Sequence, residues 1–449
     1  MRYKTVWLVL ILPACMTTPE RQAEPEAGVA PAAWTALPAT VQQGAVAGWL
    51  HSFNDAPLAN LVSTALAGNN DLRAAAARVK QAQALVRSEG AARLPQLQFV
   101  PGVDYADRAD DGENDTGSRW SLPFNLSWEL DVWGRIGNLQ QAARLEADAV
   151  ETDWHGAVLS LAARTAQGCF ELAEARQRVQ VVQESIAERR ALVDLLQGRF
   201  NLGLAEGLDL SLALTDLSDA QAELKDAGNG IQLSARRLQV LLGRYPSADL
   251  AACTRLPDLP NALPAGLPSE LLSRRPDVTA AFVRLRSQDQ RWAGARKALL
   301  PKFTLAAAGD AVADLSDPRA AAWNLALGLI QPLYAGGRLH ADIDLNAAKS
   351  EEALHLYRET VLTAFRETEQ SLAAEDWLKG REQALAETVK KTETSRSLAI
   401  YAYRNGSVDI LTLLDSYRST LIARTALLDA RLRLLNNRVD LYLALGGGI

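Results

Sequence analysis

Cys15 is the residue whose position points most directly to covalent chemistry. It ends a leader that has a positive start and a short apolar run at residues 6–12. A signal peptidase cuts after a small residue, and Ala14 is such a residue. The segment therefore resembles a bacterial lipobox, in which the cysteine that becomes N-terminal after cleavage is acylated. We therefore predict a signal peptide at 1–14 and a lipid on Cys15. An ordinary signal peptide with an incidental cysteine is the alternative.

The rest of the sequence offers little for catalysis or metal binding. The chain has four histidines, and none has a His or Cys partner at a metal-ligand spacing. No Gly-x-Ser-x-Gly, phosphate-loop or dinucleotide-binding glycine motif occurs in a strand–helix context. We therefore expect a protein that is not an enzyme and that holds no metal or cofactor. The mild net charge of −6 argues against a nucleic-acid partner.

Two further cysteines follow Cys15 in the sequence. Cys169 and Cys253 could form a disulfide in an exported chain, but their spacing suggests no disulfide framework. The sequence leaves both states open.

Three residues near the C-terminus have a spacing that matters on a helix. Leu411, Asp415 and Arg418 are four and three residues apart, which puts them on one helical face. As a surface salt bridge, Asp415 and Arg418 would contribute under about 1 kcal/mol. Asp216 and Asp219 lie on an earlier helical stretch, and we expect both on a solvated face.

The chain also repeats its own pattern once. Asp71 recurs as Asp277 at an offset of 206 residues, and Gly134 recurs as Gly337 at an offset of 203. A period near 200 is too long for a solenoid repeat, so we expect two equivalent halves that build one pseudo-symmetric body. We divide the chain into a signal peptide, a lipidated N-terminal segment, a first repeat, a proline-rich linker and a second repeat, at 1–14, 15–57, 58–245, 246–268 and 269–449.

Each half contains stretches in which apolar residues alternate at period two, which predicts β-hairpins at 97–130 and 302–331. Strands of about ten residues fit a tilted bilayer crossing, and a soluble hairpin packed on a helix is the alternative. The acidic stretch 107–118 predicts an external loop. Four strands cannot close a barrel, and lipid forbids an open edge, so several chains must share one barrel if these strands span.

Long helical patterns surround both hairpins. Residues 58–93 have the pattern of one helix, and the proline-free stretches 136–200 and 339–403 each predict a helix of about 65 residues, roughly 100 Å long. Apolar residues along the first of these stretches step by three and four, which favours packing along a narrow seam. Each long helix ends at a glycine turn, where Gly203 and Gly406 permit the positive φ that reverses the chain.

These features together resemble the TolC/OprM-like outer-membrane factor family, and most closely its lipidated, NodT-like branch in resistance-nodulation-division efflux systems. The resemblance covers nearly the whole mature chain and depends on the order and spacing of several motifs. The most specific segments are Leu-Ser-Arg-Arg-Pro-Asp-Val at 272–278, Gln-Pro-Leu-Tyr-Ala-Gly-Gly-Arg at 331–338, the stretch 406–418 and Leu-Ala-Leu-Gly-Gly-Gly at 443–448.

The resemblance implies a mainly α fold with a small transmembrane β part. Long helical hairpins would form a periplasmic α-barrel, and a homotrimer would join four strands per chain into a 12-stranded outer-membrane β-barrel. The implied function is a passive exit duct of a tripartite efflux pump in the Gram-negative outer membrane. Its implied partners are a periplasmic adaptor, an inner-membrane pump of the resistance-nodulation-division type and outer-membrane lipid.

The resemblance also implies roles for residues near the two glycine turns. The turns would receive the adaptor at Gly203, Leu204, Ala205, Gly406, Ser407 and Val408. Leu411, Asp415 and Arg418 take positions that narrow the closed periplasmic mouth in the family. Three copies of Leu411 would form an apolar constriction, and three of Asp415 a ring that attracts cations and resists opening. Arg418 would pair with Asp415 or with a neighbouring chain.

Two other classes of function fit the sequence less well. A coiled-coil envelope spacer without a channel would leave the alternating strands unexplained. An outer-membrane duct for type I protein secretion shares the fold, but the lipobox and the glycine-rich end favour the efflux branch.

Overall fold

A computed structural model describes residues 34–35, 48–110, 113–261, 268–313 and 320–448. Most of these residues are helical, as the sequence predicts. The helices are α1 (Ala56–Gly68), α2 (Asn70–Ala91), α3 (Arg135–Asn201), α4 (Gly207–Leu241), α5 (Pro268–Arg274), α6 (Pro276–Lys297), α7 (Arg338–Arg404) and α8 (Ile410–Ala444). The strands are β1 (Gln96–Phe99), β2 (Gly102–Asp110), β3 (Glu113–Ser121), β4 (Phe124–Leu130), β5 (Lys302–Ala313) and β6 (Ala320–Ile330).

The two halves of the chain contain the same elements in the same order. Each has a pair of helices, a strand hairpin, a very long helix and a return helix. Helices α3 and α7 are both 67 residues long, and α4 and α8 are both 35 residues long. The predicted proline-free helices are therefore confirmed, and their equal lengths fit a duplication. None of the helices in the described ranges combines the length and the apolar content that a membrane crossing requires.

The continuous helix expected over 58–93 is wrong, because Asn69 divides it into α1 and α2. The backbone of Asn69 is extended, with φ −67° and ψ 129°. Its side-chain Oδ1 accepts from the Leu72 N–H at 2.9 Å, which caps α2, and its Nδ2 donates to the Leu241 carbonyl at 2.9 Å. The break thus depends on a partner 172 residues away in sequence, and helical periodicity alone does not reveal it.

The second half has an equivalent break at Arg275, which is 206 residues after Asn69. There Arg275 separates α5 from α6, and its Nη1 donates to the Ala444 carbonyl at 3.3 Å. Ala444 is the last residue of α8, as Leu241 is the last of α4. In both halves, the residue at the break between the paired helices therefore donates a hydrogen bond to the last carbonyl of the return helix. This residue is an asparagine in the first half and an arginine in the second.

The strands form one antiparallel sheet of four rows. β1 and β2 make one row and β3 and β4 the next, with breaks at Pro101 and Pro123, which cannot donate to a strand ladder. In the pairing of β4 with β5, which joins the second and third rows, Phe124 lies opposite Gly309. β6 is the last row and pairs with β5. Both predicted hairpins are therefore present.

The external loop expected over 107–118 is wrong for most of its length. β2 and β3 pair in continuous register up to Asp110 opposite Glu113. Strand pairing uses backbone N–H and C=O groups, so acidic side chains do not prevent it where neither face must be buried. Residues 111–112 lie outside the described part of the chain.

The chain folds as two compact units, and each half of the sequence contributes to both. Among the described residues, the sheet unit comprises 77–152 and 279–360 and contains all six strands. The helical unit comprises the described residues up to 76 together with 153–278 and 361–448, and contains both glycine turns.

The core of the helical unit contains a cluster of four aromatic rings among aliphatic side chains. Trp49 stacks on Tyr442 with ring centroids 5.3 Å apart, and Phe53 packs against Phe170 at 5.4 Å. Beside this core Cys169 and Cys253 form a disulfide, so the pairing that the sequence left open is resolved. The disulfide fastens part of the predicted linker to α3.

Helix tips and the candidate gate

The first glycine turn joins α3 to α4 in the helical unit. Gly203 has φ +71°, and its N–H donates to the Phe200 carbonyl at 2.9 Å. The Leu204 N–H donates to the Arg199 carbonyl at 2.8 Å, which completes a glycine-closed helix end. The side chains of Leu202, Leu204 and Leu208 are all exposed. The turn therefore presents apolar surface from a rigid, hydrogen-bonded backbone.

The second turn repeats this geometry between α7 and α8. Gly406 also has φ +71°, and the Ser407 N–H donates to the Ala402 carbonyl at 2.9 Å. Asp409 caps α8 by accepting from the Thr412 N–H at 2.8 Å. Hydrogen bonds from the Thr412 side chain and backbone lower the pKa of Asp409. Glu206, at the equivalent position before α4, makes no such side-chain cap.

The predicted docking residues divide into exposed and packed ones. Gly203, Leu204, Gly406 and Ser407 are exposed, whereas Ala205 is half-buried. Val408 is also half-buried and packs against an apolar cluster that we call the tip core. The tip core draws on all four long helices and contains Leu192, Leu196, Ala213, Tyr403, Ile410, Leu413, Leu414 and Tyr417. This shared packing holds the two glycine turns in a fixed position relative to each other.

Leu411, Asp415 and Arg418 lie together on the face of α8 that points away from the tip core. All three are exposed, and Leu411 is 58% exposed although it is a large apolar side chain. Ile422, four residues beyond Arg418, is also exposed and extends the same stripe. Within the described ranges, no ion pair joins Asp415 to Arg418. The three side chains therefore face outward from their own chain.

Asp216 was expected on a solvated face, and that expectation is wrong. Its carboxylate is bound at 2.7 Å by Nε of Arg189, and these side chains are only 7% and 4% exposed. Arg189 also donates to Ser185 Oγ, while Asp219 is exposed as expected. Asp216 lies three and four residues from buried Ala213 and Ala220. That spacing places it in the inward seam of α4 and would have indicated its burial.

Tyr417 connects this buried pair to the second helical hairpin. Two guanidinium groups lie over its ring, with Cζ of Arg189 at 5.9 Å and Cζ of Arg396 at 5.8 Å from the centroid. Arg396 in turn forms an ion pair with Glu188 on α3. Burial, and then the charge of Glu188, raise the pKa of Tyr417. Four helices thus share one charged cluster just inside the tips.

A second buried ion pair fastens the linker further along the helical unit. Arg438 is fully buried, donates through Nε to Glu375 at 2.9 Å, and donates through Nη1 to the carbonyls of Pro260 and Asn261. Burial alone would raise the pKa of Glu375, but hydrogen bonds from Arg438 and Lys379 outweigh it and lower that pKa. No pattern in the sequence predicts this contact.

The part of the chain that the structure describes contains no group of three or more His, Cys, Asp or Glu side chains arranged to hold a metal ion. The tips themselves present exposed leucines, an outward carboxylate and an outward guanidinium.

Comparison with known proteins gives consistent matches over nearly the whole chain. The family model described as outer membrane efflux protein matches twice, at 61–244 and 267–447. The pyoverdine export outer membrane protein OpmQ of Pseudomonas putida is 31% identical, over 98% of this chain and 96% of its own. Outer membrane protein OprJ of Pseudomonas aeruginosa is 30% identical, over 98% and 94%. The outer-membrane channel OprN has a similar structure, with a TM-score of 0.87 at 26% identity, covering 97% of this chain and 99% of that one.

Proposed function

Since this chain belongs to the outer membrane efflux protein family and is an outer-membrane efflux component, we propose that it works as a trimeric exit duct gated at its helix tips. An inner-membrane pump, of the resistance-nodulation-division type, supplies the energy, and a periplasmic adaptor joins the two. The observation that carries the proposal is the pair of equal helical hairpins. Each follows a strand hairpin and ends in the same glycine-closed turn.

The trimer is supported by the edges of the sheet. β6 pairs with β5 alone, and β1 and β2 pair only with β4 and β3, among the described strands. Trp323, at 83% exposed, and Leu325, Leu327 and Leu329 of β6 form an apolar outer surface. Such a surface suits lipid, and in lipid every edge N–H and C=O must find a partner. The edges of neighbouring copies provide those partners.

Adaptor docking is supported by the exposed apolar side chains of the first turn. Leu202, Leu204 and Leu208 have no packing role in the tip core. Exposed apolar groups clustered on a fixed backbone are typical of a protein–protein contact. The second turn, with Gly406 and Ser407, gives a smaller and more polar surface, so we assign the larger share of apolar contact to the first.

The lipid anchor remains a proposal, because 1–14 and Cys15 lie outside the described residues. It is supported by the leader, in which Ala14 and Cys15 end the apolar run. A later residue of the same segment, Trp34, contacts the helical unit. The ring of Trp34 packs edge-on against Phe365 at 6.1 Å, and the Thr35 N–H donates to Glu369 at 2.7 Å. The N-terminal segment is therefore held against α7 at this point. Replacement of Cys15 by serine should abolish labelling by palmitate.

The duct is tested by assembly and conductance together. The detergent-purified protein should have the mass of three chains and should form ion-conducting pores in planar bilayers. A strain that lacks the gene should accumulate a pump substrate and should recover export when the gene is restored. A monomer that inserts stably, or a trimer that never conducts even when its gate residues are replaced, would contradict the proposal.

A further inference from the structure

A cavity of about 380 Å³ lies in the sheet unit, where the strands give way to helices. Arg135, Lys302 and Arg338 line it, and they are the first residues of α3, β5 and α7. Pro332, just after β6, and Arg291, from α6, complete this side of the wall. The cavity therefore lies where helices and strands begin, and their backbone hydrogen bonds fix the positions of these residues.

The wall of this cavity carries an excess of positive charge. Four of its side chains are cationic, and Asp342 is its only carboxylate. Asp342 pairs with Arg338 at 3.2 Å, and Arg135 pairs with Glu129 at 2.7 Å. Arg291 and Lys302 have no ion pair within the described ranges. Two full positive charges are thus left uncompensated by the protein.

Buried donors in the same wall also lack acceptors. Nε of Arg135 and Nε of Arg291 are both buried, and no described protein atom accepts a hydrogen bond from either. Buried polar groups are normally hydrogen-bonded, because an unmade bond leaves the cost of desolvation uncompensated. Guanidinium groups and an ammonium group match the several oxygens of a phosphate better than any neutral ligand.

The surface next to the cavity indicates what carries the phosphate. Leu333 and Tyr334 follow Pro332 directly and are 92% and 90% exposed. A phosphate group in the cavity would therefore be bordered by an apolar surface, as the headgroup and acyl chains of a phospholipid require. The volume is also larger than a phosphate ion needs and falls within the range of small-molecule pockets.

We propose that this cavity binds the phosphate of an anionic phospholipid headgroup. The anion site follows from the cavity itself. Its assignment to a lipid rests on the proposed function, which puts the ends of the strands at the membrane surface. Arg291 and Lys302 bind the charge, and Arg135 adds a hydrogen bond through Nε.

The test compares lipid retention by purified full-length protein in detergent. Native mass spectrometry after addition of phosphatidylglycerol or phosphatidylcholine should show preferential retention of phosphatidylglycerol. The double variant Arg291→Gln/Lys302→Gln should lose that preference, by on the order of tenfold for each cation removed. The matched control Lys80→Gln/Arg87→Gln removes two exposed cations from the same unit and should retain it.

Two further arms separate the site from its ligand and from misfolding. The charge-preserving variant Arg291→Lys/Lys302→Arg should keep the lipid, which a merely damaged fold would not. Inorganic phosphate should raise the thermal stability of the wild type more than that of the double variant, whether or not the protein conducts. Equal lipid retention in all variants overturns the site. Stabilisation by phosphate without selection of the anionic lipid overturns the lipid assignment. Failure of the wild type to conduct counts against the duct alone.

Discussion

At the scale of single residues, we expect loss of the buried ion pair between Arg189 and Asp216 to destabilise the helix tips strongly. Removing one partner leaves an uncompensated buried charge, which costs about 3–5 kcal/mol. We expect Asp216→Ala to lower the melting temperature of the purified protein markedly, as followed by circular dichroism. Asp219→Ala, three residues away and exposed, is the control and should be nearly silent. Equal effects of the two would show that the pair contributes little.

The ion pair of Arg438 with Glu375 makes stability depend on pH in a definite direction. The pKa of Glu375 is lowered below its ordinary value of 4.5. The ion pair therefore contributes fully to the free energy of unfolding above pH 4.5, and this contribution is lost as the pH falls through the lowered pKa. At pH values below 4.5, we expect the melting temperature of the protein to decrease as the pH is lowered. In the variant Glu375→Gln, this decrease should be smaller. Glu387→Gln, at an exposed position, is the control and should leave the decline unchanged.

Sequence reasoning succeeded at residues whose relations lie within one helix. Leu411, Asp415 and Arg418 share a face because their spacing alone decides it, and the structure shows that shared face. Asp216 was placed wrongly, although its spacing from Ala213 and Ala220 points inward, because the partner that offsets its charge, Arg189, lies on another helix. The pairing of Cys169 with Cys253 was undecided for the same reason, since 84 residues separate them.

At the scale of elements, the two glycine turns determine where the long helices end. Gly203 has φ +71° and no atom within 4 Å of an added Cβ, so substitution there is penalised by backbone strain alone. Gly203→Ala should destabilise by about 1–2 kcal/mol. Gly198→Ala, five residues earlier in α3 and equally uncrowded, should instead stabilise by up to about 1 kcal/mol. Melting temperatures that shift in the same direction would contradict this account of the turn.

The elements were largely predictable, and the exceptions have physical causes. Residues 136–200 contain no proline, so α3 could be inferred from its sequence. The break at Asn69 could not, because a side-chain cap and a carbonyl from α4 create it. The parts of β2 and β3 that lie within 107–118 were missed because the prediction weighed side-chain polarity, whereas backbone pairing holds these strands together.

At the scale of the whole molecule, the duplication was readable because offsets of 206 and 203 recur along the chain. The two compact units were not, because each takes segments from both repeats. A unit boundary depends on which distant segments pack together, and sequence spacing does not report that. The proposed gate belongs to this scale as well, since the outward stripe of one α8 could narrow a mouth only where other copies face it.

The gate can be tested at that scale by removing both side chains that would meet their symmetry copies. Leu411→Ala/Asp415→Ala removes an apolar plug and a ring of like charges, so the closed mouth loses its constriction. Conductance in planar bilayers should rise several-fold, which corresponds to about 1 kcal/mol of closed-state stability, and cells should admit vancomycin more readily. Arg418→Ala should act in the same direction if Arg418 pairs with a neighbouring chain, because it has no ion pair with Asp415 in its own.

The control for the gate variant is Leu398→Ala/Asp226→Ala, which removes an exposed leucine and an exposed aspartate of the same unit away from the stripe. It should leave both conductance and antibiotic entry at their original values. A gate variant that is expressed as a stable trimer, yet matches this control in both measurements, would rule out a constriction at Leu411 and Asp415.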